Sequence, residues 1–118
     1  MSPRRLPNYL RTHRKRAHLT QEEVAFILGG ESGARISRHE RRRQNPNLRT
    51  LLAYEILFRT PIRELYGGVA ADVEKGLAKR ARLLLQKLAK AGKRYLAARK
   101  IDSLLARLKP KTSRNSDP

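Results

Sequence analysis

Apolar residues in the first 68 positions recur three and four residues apart within short segments, which polar, proline and glycine residues separate. This spacing is that of helices with one apolar face, and no stretch sustains the alternation that is typical of strands. The pattern predicts five short helices, over residues 8–17, 20–28, 32–42, 48–58 and 61–66. We therefore expect an all-α domain over residues 1–68.

Local signals predict where these helices begin and end. Thr20 and Glu23 have the spacing of a capping box, in which each side chain accepts a hydrogen bond from the other residue's backbone N–H. The glycine pair 29–30 can adopt the left-handed conformation that ends a helix. Asn47 is placed to cap the fourth helix, and Pro61 fits the first position of the fifth.

The glycine pair 67–68 is expected to end the fifth helix and to separate it from a helical extension over residues 69–109. Residues 110–118 are polar and have nothing to bury, so we expect a disordered tail. Apolar or small residues form a seam along the extension with steps of three and four: Val73, Leu77, Ala81, Leu84, Leu88, Ala91 and Tyr95. Because an isolated helix gains its stability mainly from packing, we expect this seam to be buried against the same helix of a second chain. The alternatives are burial on the fourth and fifth helices, or a hairpin that bends at Gly92.

Charge narrows the function. The chain has 118 residues with 28 Lys and Arg against 10 Asp and Glu, a net charge of +18, which favours a polyanionic partner. No apolar run is long enough to span a membrane, and the absence of cysteine excludes disulfides and thiolate metal sites. Histidines 13, 18 and 39 lack the spacing of a helical metal pair, and no glycine-rich phosphate loop is present. We therefore expect no metal, no cofactor and no catalytic activity.

A capped helix, a glycine turn and a short helix with a polar face, over residues 20–42, are typical of a helix-turn-helix. In that motif the second helix lies in the major groove of double-stranded DNA. The residues expected to contact bases are small or are arginines whose fork can bind guanine: Ser32, Gly33, Ala34, Arg35, Ser37 and Arg38. Arg41, Arg42 and Arg43 follow where the chain leaves the groove, and we expect them to bind phosphates. There are two alternatives to base contact. The polar face is merely solvated, or its arginines bind phosphates alone.

Three segments carry a resemblance to a known family: residues 20–25 (TQEEVA), 36–40 (ISRHE) and 45–48 (NPNL). They resemble the XRE, or Cro and phage-repressor, helix-turn-helix family, and the resemblance covers residues 9–66. It implies a five-helix lambda-repressor-like domain that binds operator DNA, usually as a dimer, and regulates transcription.

The resemblance also implies roles for single residues. Gln21 is expected to bind a phosphate at the start of the second helix, and Arg14 to pair with Glu40 and fix the angle of the recognition helix. Two departures are visible: the turn before Ile36 has one residue more than the family's commonest spacing, and Arg42 stands where the family often has glycine.

These patterns together predict a sequence-specific transcriptional regulator, such as a repressor, that acts as a homodimer in the cytoplasm at the nucleoid. One alternative is an antitoxin-like protein whose C-terminal helix binds a partner protein. The other is a basic protein that binds nucleic acid without sequence preference.

Overall fold

The structure, a computed structural model, describes residues 6–30 and 32–108. Within these residues the fold is all α, as predicted, with no strand. The helices are α1 (Leu10–Arg16), α2 (Gln21–Ile27), α3 (Gly33–Glu40), α4 (Leu48–Phe58), α5 (Ile62–Leu65), α6 (Gly67–Lys90) and α7 (Arg94–Leu108). The chain divides into two compact units, Met1–Ala71 and Asp72–Pro118. The predicted disordered tail over residues 110–118 lies outside the described residues.

The first unit has a small apolar core to which each of its five short helices contributes. The buried residues are Leu10, Val24, Ala25, Ile36, Tyr54, Leu65 and Tyr66. Val24 and Ile36 pack where α2 meets α3, so the two helices of the predicted motif are held at a fixed angle by burial of their inner faces. Burial raises the pKa of the Tyr66 phenol, whose hydroxyl has no hydrogen-bond partner among the described residues.

The predicted helix starts are confirmed at α2 and α4. The Thr20 hydroxyl accepts a hydrogen bond from the Glu23 backbone N–H at 3.0 Å, and the Glu23 carboxylate accepts one from the Thr20 N–H at 2.8 Å. The Asn47 side chain accepts a hydrogen bond from the Thr50 N–H at 2.9 Å and caps α4. Gly29, with a φ of 100°, ends α2 in the left-handed conformation, also as predicted.

Several predicted boundaries are wrong by one or two residues. Helix α1 begins at Leu10 rather than residue 8, because the Asn8 side chain accepts a hydrogen bond from the Leu10 N–H ahead of the helix. Helix α3 starts after its cap, Ser32, and stops at Glu40 rather than at residue 41 or 42. Pro61 precedes α5 instead of occupying its first position.

The glycine pair 67–68 begins α6 and does not separate two helices. At Gly68 the reason is a close approach: an added Cβ would lie 2.5 Å from the ring of Pro7, and the Gly68 N–H donates to the Pro7 carbonyl at 3.2 Å. Glycine is therefore needed here to let the N-terminal segment pass over the helix, and the helix continues through it.

The second unit contains most of α6 and all of α7, separated by a turn at Gly92. This residue has a φ of 78°, and the Lys93 N–H donates to the Leu88 carbonyl at 2.9 Å, which is the Schellman arrangement that ends a helix. The turn at Gly92 thus divides the predicted helical extension into two helices.

The predicted seam on α6 is only partly shielded. Val73, Leu77 and Leu84 are between 43% and 50% exposed, and Tyr95 is 70% exposed. The less exposed line on α6 is rotated toward another face: Ala78, Ala81, Leu85, Leu88 and Ala89. On α7, Ala97 is buried, and Leu104 and Leu108 are half-buried, at the spacing of one helix face. The least exposed residues of α6 and α7 therefore lie along one face of each helix, and part of the predicted seam stays exposed.

Candidate nucleic-acid interface

Helix α3 presents a polar arc on the side opposite the core. Ile36 and His39 are buried, whereas Ala34 and Arg38 are exposed, and Ser37 lies half-buried between the two groups. No large apolar side chain stands on the outer arc, so nothing there obstructs the approach of a DNA groove.

The first two residues of the predicted base-contact set have local structural roles. The Ser32 hydroxyl accepts a hydrogen bond from the Arg35 N–H at 3.1 Å and caps α3. Gly33 is buried, and an added Cβ would collide with the carboxylate of Glu22 on α2. Glycine at this position is explained by the close packing of α2 on α3. The Arg35 side chain is half-buried at the edge of the polar arc.

Arg38 is the exposed arginine within the helix, and its side chain is held in place. Its Nε donates a hydrogen bond to the Gln44 Oε1 at 3.0 Å. Because this contact uses the Nε edge, the two terminal amino groups of the guanidinium remain available for the O6 and N7 atoms of a guanine. Nothing in the sequence pattern singles out Gln44, which lies beyond the end of α3.

A buried ion pair joins α1 to the end of α3. The Arg14 Nε lies 2.6 Å from the Glu40 Oε2, and the Arg14 Nη2 donates to the Glu40 Oε1 at 3.3 Å. The two side chains are 11% and 4% exposed. Arg14 also donates to the Leu19 carbonyl at 2.9 Å. The structure therefore brings together the two residues expected to pair, with bidentate geometry that fixes the end of α3.

Gln21 joins the same network. Its Nε2 donates to the Glu40 Oε1 at 3.1 Å, which positions the amide at the start of α2. Beside it is an open cleft of about 440 Å³, whose lining includes the exposed Arg11 and Arg41. Two of the residues expected to bind phosphates, the neutral Gln21 and the cation Arg41, thus face one cleft together with Arg11.

Arg42 and Arg43 form the turn that ends α3, and both are exposed. Arg42 has a φ of 64°, in the left-handed region, and its N–H donates to the His39 carbonyl at 3.1 Å. The Arg43 N–H donates to the Arg38 carbonyl at 2.9 Å, which completes a Schellman motif. An arginine therefore holds a conformation that favours glycine, the residue that the resembled family often has here.

Sequence reasoning missed the residues that hold α3 from behind. His39 is buried, its Nδ1 lies 2.7 Å from the Tyr54 hydroxyl of α4, and its backbone carbonyl accepts a hydrogen bond from the Asn8 side chain at 3.0 Å. The Tyr54 ring meets the His39 ring edge to face and stacks on Phe58. A histidine and a tyrosine at buried helical positions are a signal for such a polar contact, but their partnership depends on the tertiary fold.

The described residues show neither a metal site nor a membrane-spanning helix. Among them, no group of three or more histidine, cysteine or acidic side chains is arranged to hold a metal ion. None of the helices in residues 6–30 and 32–108 combines the length and the apolar character needed to cross a bilayer.

One comparison with known proteins agrees with the helix-turn-helix arrangement. A family model described as helix-turn-helix matches residues 10–65, which is the segment from the start of α1 to the end of α5. No curated protein and no solved structure matches the chain.

Proposed function

We propose that this chain, which belongs through residues 10–65 to the XRE-type helix-turn-helix family of DNA-binding regulators, regulates transcription. In this proposal it recognises a specific DNA sequence, which α3 reads in the major groove. The observation that carries the proposal is the exposed Arg38 on the outer arc of α3, with its Nε held by Gln44. A guanidinium that is already held in place loses little conformational entropy when it binds a base. This favours discrimination between bases over electrostatic attraction to DNA in general.

In this proposal, the polar and positively charged residues around α3 provide affinity for DNA that does not depend on its sequence. Gln21 and Arg41 bind a phosphate at the cleft beside α2, and Arg42 and Arg43 bind phosphates where the chain leaves α3. Such contacts set the register of the protein on the duplex, whereas bases are read by Ala34, Ser37, Arg35 and Arg38. Ser32 and Gly33 contribute through the placement of the helix start.

Selection of bound duplexes from a random pool tests the proposal directly. We expect a preferred sequence with guanine at the position that Arg38 reads. Binding that is equal for selected and scrambled duplexes would instead favour a basic protein without sequence preference.

Two variants at position 42 test phosphate binding and the stability of the fold separately. Arg42→Ala and Arg42→Gly both remove one cation, so we expect both to weaken all duplexes alike and to reduce the slope of log K against log salt by about one unit. Because residue 42 has a φ of 64°, the glycine variant should be more stable than the alanine variant by about 1 kcal/mol. Salt titrations and thermal unfolding measure the two effects. Equal stability of the two variants would contradict the conformational argument, and a changed base preference would contradict the phosphate role.

We further propose that the regulator acts as a homodimer through the exposed apolar face of α6. Val73, Leu77 and Leu84 lie along one side of that helix and stay exposed in the single chain. Helix-turn-helix proteins commonly bind two half-sites, which a two-fold dimer matches. A partner protein on the same face, as in the antitoxin-like alternative, would appear as a co-purifying chain instead.

Sedimentation of matched double variants tests the dimer. Leu77→Lys with Leu84→Lys places cations in the proposed interface, so we expect a monomer at concentrations where the natural chain is a dimer. Leu52→Lys with Ile56→Lys makes the same change on an exposed face of α4 and should leave the dimer intact. A natural chain that is monomeric at tens of micromolar, with or without the selected duplex, would refute the dimer.

A further inference from the structure

Helix α6 carries a continuous stripe of cations on its exposed side. Its members are Lys75, Lys79, Arg82 and Lys90, with Gln86 between the last two. At 3.6 residues per turn these five positions fall within an arc of about 80° and extend along about 23 Å of helix. All five side chains are exposed. This basic stripe is separate from α3 in the chain and is not used by the function proposed above.

The residues around the basic stripe compensate its positive charge only in part. From Asp72 to Leu108 the second unit has eleven lysines and arginines and three carboxylates, a net charge of +8. Two of the three carboxylates, Asp72 and Glu74, lie before the stripe, and no ion pair among the described residues engages its four cations. Like charges three or four residues apart, such as Lys75 and Lys79, destabilise a helix by about 0.2–0.5 kcal/mol per pair. The arrangement therefore opposes folding slightly unless an anion neutralises it.

A glycine within the helix adds a shallow depression beside the basic stripe. Gly76 lies in the interior of α6, where glycine costs about 1 kcal/mol relative to alanine. The guanidinium of Arg80 folds over it, since an added Cβ would lie 3.1 Å from the Arg80 Nη1. Lys75, Lys79 and Arg80 border the resulting depression of about 400 Å³ together with Asp72. Three cations against one carboxylate leave this open depression positively charged, which suits the oxygens of a phosphate.

We infer that the basic stripe binds the sugar–phosphate backbone of duplex DNA beside the sequence that the first unit reads. The affinity of the stripe for a polyanion follows from its own charges, whereas the choice of DNA over other polyanions rests on the proposed function. Helix α6 begins at Gly67, two positions after α5 ends at Leu65, so only a short stretch of chain joins the stripe to the helix-turn-helix. Lys75 follows Tyr66 by nine residues, or about 14 Å along a helix. A first unit bound to DNA therefore holds the stripe at high effective concentration near further phosphates.

The inference predicts a salt dependence that belongs to the stripe alone. Each phosphate that a lysine or arginine neutralises contributes about 0.9 to the slope of log K against log salt. Four such contacts account for about three to four units of that slope. Because backbone contacts carry no base information, the selected and the scrambled duplex should lose affinity by the same factor.

The test compares two charge-matched variants of the full chain. The stripe variant combines Lys75→Gln, Lys79→Gln, Arg82→Gln and Lys90→Gln. The control variant combines Arg94→Gln, Arg99→Gln, Lys100→Gln and Arg107→Gln, which are exposed positions spread around α7. Both variants lose four positive charges and keep residues that favour helix. Circular dichroism and thermal unfolding establish that both are folded, and binding to selected and scrambled duplexes is measured between about 50 and 200 mM salt.

We expect the stripe variant to lose at least tenfold in affinity for both duplexes and three to four units of slope, while the control loses less than one unit. Equal losses in the two variants would overturn the inference, because overall charge would then explain binding. No loss in the stripe variant would overturn it as well. If the natural chain shows no sequence preference but the variants still differ, the proposed function fails and the stripe stands.

Discussion

Replacing Glu40 with alanine is expected to destabilise the first unit by about 3–5 kcal/mol, because the change leaves the Arg14 guanidinium buried without its counter-charge. The Arg14 side chain is only 11% exposed, so water replaces the lost carboxylate only in part. Gln21 loses its acceptor as well, and the end of α3 is no longer tied to α1. Urea unfolding, followed by the loss of helical circular dichroism, measures the effect.

A double variant shows how much of the lost stability comes from the missing ion pair and how much comes from the charge left unpaired. Arg14→Met with Glu40→Leu removes both charges and fills the space with apolar groups of similar volume. Such replacements are often neutral, so we expect the double variant to recover most of the stability that either single change removes. A loss of less than about 1 kcal/mol in Glu40→Ala would place the pair among exposed ion pairs of little energetic value.

Features of the fold that depend on a few neighbouring residues could be predicted from the sequence. The capping box at Thr20 and the turn at Gly29 are set by side chains and backbone within three or four residues. The resemblance to a family supplied the pairing of Arg14 with Glu40, which are 26 positions apart and which no local rule connects. Together these signals located α2 and α3, and with them the polar arc that faces outward.

Features that depend on distant parts of the chain were not predictable in the same way. Leu48, Leu52 and Ile56 have the spacing of a buried helix face, yet they are exposed. Tyr54 is fully buried instead, with Leu51, Leu57 and Phe58 packed against the core beside it. That face of α4 turns inward where Tyr54 contacts His39 of α3, a contact between distant parts of the chain. The hydrogen bond between Arg38 and Gln44 was not predicted for a related reason. It forms because the turn at Arg42 brings the chain back toward α3.

The Arg38 side chain should carry the largest share of base preference. We expect Arg38→Ala to reduce the discrimination at one base pair of the selected duplex by about 1–3 kcal/mol, because the arginine fork is the group that can bind both guanine acceptors. The other positions of the selected sequence should keep their preference. Affinities for duplexes in which each base pair is changed in turn measure the effect.

Arg38→Lys tests whether geometry or charge produces this preference. Lysine keeps the positive charge but lacks the planar fork, so it should keep the salt slope and still lose most of the discrimination. Gln44→Ala should lie between the natural chain and Arg38→Ala, because it frees the guanidinium that the amide holds at 3.0 Å without removing it. If the preferred sequence is the same in Arg38→Ala and in the natural chain, α3 does not read bases through this residue. A full preference in Arg38→Lys would show instead that a charge at this position suffices, since the fork would then be unnecessary.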